Sequence, residues 1–226
     1  MKKQLLVTIM GLFLITGYYL LIPANAQTPA QVILTWQANN FYPANYQSKP
    51  LASPNTPITV SAEVSNGGKL IDLSRANFIW YADGKIIGRG EGAKEATFNG
   101  QKTDGDDYFV RVVIDLNNNK FENSMRVPAV GQFIVIESSA AEKSAPAGSQ
   151  IFLQIIPYFF NVSSLEGLSF SWRINEKQID GGNQLAVNVG LPQTPEQSMV
   201  RINAFVQNRL NSLEFANAKT QLTVSK

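Results

Sequence analysis

Residues 168–174 read Leu168-Ser169-Phe170-Ser171-Trp172-Arg173-Ile174. Apolar side chains alternate with small or charged ones, so an extended chain would turn one apolar and one polar face. The stretch therefore predicts a half-buried antiparallel strand. The same period recurs elsewhere. Ile58, Val60, Ala62 and Val64 alternate with Thr59, Ser61 and Glu63, and Val110, Val112 and Ile114 with Phe109, Arg111 and Val113. Leu185, Val187 and Val189 follow, then Val200, Ile202, Ala204 and Val206, and finally Leu222 and Val224. Gly, Asn, Asp and Pro punctuate the runs, as turns between strands require. The one helix candidate, Leu210 to Lys219, reads equally as a loop into the last strand. The expected fold class is all-β.

The chain also repeats itself. Phe78-Ile79-Trp80-Tyr81-Ala82 turns at Asp83-Gly84 and continues as Lys85-Ile86-Ile87. Phe170-Ser171-Trp172-Arg173-Ile174 turns at Asn175-Glu176 and continues as Lys177-Gln178-Ile179. Val110-Arg111-Val112 is centred 31 residues beyond Trp80, and Val200-Arg201-Ile202 is centred 29 beyond Trp172. A strand with a buried Trp, a tight turn and a long partner strand about 30 residues later is the spacing of an immunoglobulin-like sandwich. Two tandem antiparallel β-sandwich domains are expected, over residues 28–129 and 130–226, with Trp80 and Trp172 as their structural cores. The boundary falls within 128–140, because Phe133 to Glu137 suits either the end of the first domain or the start of the second.

Asp72-Leu73-Ser74-Arg75-Ala76 before the Trp80 strand, then Asp83-Gly84-Lys85 and the run Gly88, Gly90, Gly92, resembles the immunoglobulin-like (Ig/PKD-like) modules of bacterial secreted and surface proteins. Trp36 and the stretch Phe41-Tyr42-Pro43 to Tyr46 add to that likeness in the first domain. The Trp-x-Phe-Gly-Asp-Gly centre of PKD domains is not in the sequence. The resemblance implies a scaffold, and a scaffold leaves its ligand open.

Composition excludes whole classes of chemistry. Of the 226 residues none is His and none is Cys. Cys/His zinc sites, thiol nucleophiles, disulfides and Ser-His-Asp triads are ruled out, and no cofactor is expected. With 44% hydrophobic and only 16% charged residues, the chain is one that folds. Residues 1–26 read as a signal peptide or an N-terminal membrane anchor. Lys2 and Lys3 precede an apolar run over residues 5–22, and Ala24-Asn25-Ala26 supplies the small-x-small cleavage pattern at Ala24 and Ala26. A membrane contact would come only through residues 5–22 left uncleaved, whose 18-residue length just spans a bilayer. The expected localisation is extracytoplasmic: secreted, cell-surface or periplasmic. Without Lys2 and Lys3, 17 of the 19 basic side chains remain against 17 acidic ones. They are scattered singly, so the stripe that nucleic acid demands is not visible and no nucleic-acid partner is expected.

Three local patterns are candidates for chemistry. Asp104, Asp106 and Asp107 form the one acidic cluster, just before a strand, where Asp and Gly serve turn geometry better than acid–base work. Asp115, Asn117 and Asn119 place oxygen donors at alternate positions, as a calcium loop does. Position six of that loop needs Gly and holds Lys120, position twelve needs Glu and holds Arg126, and an Asn-rich hairpin turn explains the stretch as well. Residues 39–57 form a long Pro-rich insertion carrying Phe41, Tyr42 and Tyr46. These aromatics suit two fates: cover for the sandwich end or the seam toward Tyr158, Phe159 and Phe160, or an exposed binding surface. The function these features imply is a non-catalytic exported binding or assembly module with a protein or cell-envelope glycan as partner. The alternatives are a structural spacer or subunit of an envelope assembly and, remotely, an exported carboxylate-dependent hydrolase.

Overall fold

The computed structural model describes residues 30–140, 143–192 and 198–225. The leader readings at residues 1–26, with Ala24 and Ala26, lie outside the described residues. Eight strands come from the first half: β1 (Gln31–Ala38), β2 (Pro57–Asn66), β3 (Lys69–Leu70), β4 (Asn77–Ala82), β5 (Lys85–Glu91), β6 (Glu95–Asn99), β7 (Asp107–Leu116) and β8 (Asn119–Pro128). Eight come from the second: β9 (Phe133–Ser138), β10 (Ser144–Pro146), β11 (Gln150–Tyr158), β12 (Leu168–Ile174), β13 (Lys177–Asp180), β14 (Gln184–Asn188), β15 (Met199–Asn208) and β16 (Asn211–Ser225). In the first half β2 pairs with β1, β3 and β6, and the other sheet runs β5-β4-β7-β8. In the second half the sheets run β14-β11-β9 and β10-β16-β15-β12-β13, with β10 parallel to β16. In each half the Trp-bearing strand lies beside the longer strand that follows, which lies beside the last. That is the strand order of an immunoglobulin-like sandwich. β9 pairs with β11, so Phe133–Ser138 belongs to the second half.

Two separate hydrophobic cores result. Ile58, Val60, Ala62 and Val64 of β2 meet Phe78 and Trp80 of β4 and Val110, Val112 and Ile114 of β7. Ile151, Leu153 and Ile155 of β11 meet Leu168 and Trp172 of β12 and Ile202, Ala204 and Val206 of β15. Both tryptophans are wholly buried. Each indole N–H donates to a carbonyl shortly after its hairpin, Trp80 to Ala93 at 2.8 Å and Trp172 to Gly182 at 2.9 Å. The burial of these large rings is thus achieved without an unsatisfied donor.

Strand pairing corrects the repeat. Trp80 lies opposite Val112 and Trp172 opposite Ala204, so both tryptophans face the residue 32 positions on. Val110-Arg111-Val112 therefore corresponds to Ile202-Asn203-Ala204. The apparent mismatch of 31 and 29 came from aligning it with Val200-Arg201-Ile202, a run of the same alternation two residues earlier. A second correction concerns Leu210 to Lys219, which contains neither helix nor loop beyond the tip residues: β16 starts at Asn211 and pairs along β15 past a bulge at Gln207/Asn208.

The two-residue turns explain the remaining punctuation. Asp83-Gly84, Asn117-Asn118 and Asn175-Glu176 all have positive φ at both positions. Such turns match the right-handed twist of the strands they join and favour Gly, Asn and Asp. At the Asp83-Gly84 end of the first sandwich, Tyr108 lies at the start of β7 and its hydroxyl accepts from the Lys102 N–H at 2.6 Å. This closure of the turn before the long strand is the tyrosine corner of immunoglobulin-like sandwiches. Gly100 makes room for it, since a Cβ there would come within 2.8 Å of the Tyr108 hydroxyl and 3.2 Å of the Ser53 carbonyl. Tyr108→Phe is expected to cost about 1–2 kcal/mol in urea unfolding, and Gly100→Ala to destabilise further. Unchanged midpoints in both would deny the corner its role. In the second half Val200 holds the position of Tyr108, so the corner belongs to the first half.

Candidate functional site

The loop between β1 and β2 is built to reach the second half. Asn39 N–H bonds to the Pro57 carbonyl at 2.9 Å and closes its neck, and Val130 N–H bonds to the Ala52 carbonyl at 2.9 Å, laying the connection between halves alongside it. Two residues beyond that neck, Phe41 forms an isolated antiparallel bridge with Phe160. Phe41 N–H donates to the Phe160 carbonyl and Phe159 N–H to the Phe41 carbonyl, each at 2.7 Å. Phe159 has φ +63°, an uncommon conformation for a bulky side chain. The bridge and the rings around it over-determine that backbone.

Those rings form a cluster spanning the junction. Tyr46 packs edge-on against Tyr158 at 5.8 Å and Phe159 at 5.7 Å between centroids, and Tyr42 lies 5.9 Å from Tyr46. Phe133 stacks on Tyr158 at 4.6 Å and meets Phe159 edge-on at 5.6 Å. Phe159 is buried yet belongs to neither sandwich core. Tyr42 and Phe133, 40% and 42% exposed, form the wet rim. Nearby, Lys49 Nζ stands 4.0 Å over the Trp36 ring, and burial holds its amine below the usual lysine range. The structure thus seats Phe41 and Tyr46 in the seam and leaves Tyr42 at its edge.

Beneath the rings runs a polar network. Asn161, in the β11–β12 loop, accepts from Thr56 Oγ1 at 2.7 Å and donates from Nδ2 to the Pro54 carbonyl at 2.8 Å. Ser53 Oγ donates to the Phe159 carbonyl at 2.6 Å. The Asn161 N–H donates to Glu214 Oε1, and Asn208 Nδ2 donates to Glu214 Oε2 at 2.9 Å. Asn40 Nδ2 reaches the Leu51 carbonyl at 2.7 Å and Thr56 Oγ1 at 3.4 Å. Asn40, Ser53, Thr56, Asn208 and Glu214 are all of the buried polar or charged side chains among the described residues, and every one lies in this network. Three of these bonds cross between the halves, Ser53 to the Phe159 carbonyl, Thr56 to Asn161 and Asn161 to the Pro54 carbonyl, and buried polar groups penalise arrangements that break such pairing. Sequence reasoning missed Ser53, Thr56, Asn161, Asn208 and Glu214. The one available signal was Glu214, which falls on the inward phase set by Ala216, Ala218, Leu222 and Val224.

The other sequence candidates stand apart from the seam. Asp115, Asn117 and Asn119 lie in the β7–β8 hairpin, where Asp115 faces Lys120 and Leu116 faces Asn119. Asn117 and Asn118 supply its two positive-φ residues. Asp104 and Gly105 form the turn before β7, the Asp106 carbonyl accepts from Ala129 N–H at 2.8 Å, and Asp107 pairs with Arg126 at 3.3 Å. A depression across β9, β11 and β14 contains a single carboxylate, Glu137. Two others on β12, β15 and β16 contain none.

No protein-family model matches the chain, and no curated protein matches it. Among solved structures it is similar to the three N-terminal domains of the bacteriophage RB49 Highly Immunogenic Outer Capsid protein, with 14% identity over 87% of this chain and 70% of that one, TM-score 0.33. It is similar to a D1–D4 ectodomain fragment of ICAM-5, with 12% identity over 86% of this chain and 53% of that one, TM-score 0.33. A three-domain titin fragment, I67–I69, gives 12% identity over 86% and 66%, TM-score 0.32.

Proposed function

We propose that this chain is an exported, non-catalytic binding or assembly module made of two immunoglobulin-like domains, 28–129 and 130–226, held in one fixed orientation. The observation that carries the reading is the junction: Ser53 and Thr56 of the first half bond to the Phe159 carbonyl and Asn161 of the second, Asn161 bonds back to the Pro54 carbonyl, and Glu214 holds the Asn161 backbone from behind. A fixed orientation matters to a protein that presents surfaces to a partner or takes a place in an envelope assembly. Glu214, the one buried carboxylate among the described residues, is held by the Asn161 N–H and the Asn208 amide, whereas a hydrolase needs facing carboxylates free to meet a substrate. Export is supported by the Lys2-Lys3 start, the apolar run and the Ala24-Asn25-Ala26 site. Fractionation followed by N-terminal sequencing is expected to find the protein outside the cytoplasm, beginning Gln27-Thr28-Pro29. A cytoplasmic protein beginning at Met1 would contradict it.

A further inference from the structure

The two sandwiches treat the outward face of their Trp-bearing sheets differently. On the first, charges are neutralised internally: Arg111 pairs with Glu122 at 3.1 Å and lies over the Tyr81 ring, and Arg126 pairs with Asp107. All four ion pairs among the described residues belong to that half. On the second, the corresponding positions have changed character. By register, Tyr81 corresponds to Arg173, Phe109 to Arg201, Ser124 to Lys219 and Glu122 to Asn217. Arg111 and Arg126 of the first face correspond to Asn203 and Gln221, so the cations have changed position, and the acid that paired with Arg111 has become an amide.

Residues scattered in sequence thus converge. Arg173, Asn203 and Lys219 lie side by side across β12, β15 and β16, with Gln178 of β13 next to Arg173. At about 4.8 Å per strand, Arg173 and Lys219 flank Asn203 on either side. Arg201 lies two residues further along β15, opposite Gln221, and Lys143 borders the same depression. Two adjoining hollows, about 350 and 360 Å³, share Asn203 and Lys219. Arg173, Arg201, Lys219 and Lys143 are exposed and none forms an ion pair among the described residues. Two acids of this sheet, Glu176 in the β12–β13 turn and Asp180 at the end of β13, form none either among the described residues. Beside the cations, Phe205 and Phe215 stack at 5.7 Å and stand 37% and 49% exposed.

We infer that this face of β12, β15 and β16 binds an acidic polysaccharide. Four cations without an ion pair among the described residues, around shallow hollows, call for an anionic partner. Asn203, Asn217, Gln178 and Gln221 supply the donors and acceptors that sugar hydroxyls need. The half-exposed phenyl pair offers an apolar surface for a pyranose face. A duplex nucleic acid would need a longer run of phosphate contacts than this patch supplies; an acidic peptide would meet the same cations, and the polyglutamate arm of the test separates it. The inference concerns a surface separate from the junction and holds whether or not the junction orients the halves.

The test is retention of the full chain on immobilised polygalacturonate and on heparin, which separate carboxylate from sulfate as the anion. Retention on at least one is expected, weakening as salt rises, with no retention on neutral dextran. The double charge reversal R173E/K219E is expected to weaken it by roughly tenfold or more with an unchanged melting temperature, because both side chains are exposed. Failure to bind either polymer, retention indifferent to R173E/K219E, or tighter retention on polyglutamate or duplex DNA would overturn the inference.

Discussion

Trp172→Ala is expected to remove about 3–5 kcal/mol from the second half, and Trp80→Ala a similar amount from the first. Each indole is wholly buried between two sheets and donates to a carbonyl, so truncation leaves both a cavity and an unpaired acceptor. For a sandwich of this size the loss corresponds to a melting shift on the order of 20 °C, enough to unfold a marginal domain. The cores share no residue, so each substitution is expected to lower one calorimetric transition and largely spare the other. A single transition lost in both variants would show that the chain unfolds as one cooperative unit, and the two-domain division would fall.

The next largest effects are expected at the junction. Glu214→Ala orphans two buried donors, the Asn161 N–H and the Asn208 amide, at about 1–3 kcal/mol each. Tyr46→Ala removes the ring that joins the loop to Tyr158 and Phe159, costing about 2–4 kcal/mol. Tyr42→Ala, at the exposed rim, is expected to cost far less. Thermal melts of the three variants check this ordering. Equal melting temperatures for Tyr46→Ala and wild type, with loss of cell-surface association, would instead make the aromatics a binding surface.

Period-two alternation was readable wherever strands carry branched or aromatic residues inward, as in β2, β7, β12 and β15. β16 escaped because its inward positions are Glu214, Ala216 and Ala218 before Leu222 and Val224, while Leu213 and Phe215 point outward. Small and charged inward residues beside apolar outward ones erase the signal that periodicity needs. The repeat was visible but slipped by two residues, because a shift of two preserves every side chain's face. The junction was hidden for a different reason. Thr56 and Asn161 are 105 positions apart, and Ser, Thr and Asn in Pro-rich loops read as ordinary turn formers until tertiary structure joins them. The basic face was hidden likewise, since Arg173, Arg201 and Lys219 become neighbours only through strand pairing.

The central claim is that the junction holds the two sandwiches in one orientation. The chain has no Cys, so spin labels can be placed cleanly at K85C and K177C, exposed positions in the equivalent hairpins of the two halves. Electron–electron double resonance between them is expected to give one narrow distance distribution in the otherwise native chain. With Tyr46→Ala and Glu214→Ala added, the distribution is expected to broaden. A broad distribution in the native background, indifferent to those substitutions, would mean that the halves move independently and would contradict the account.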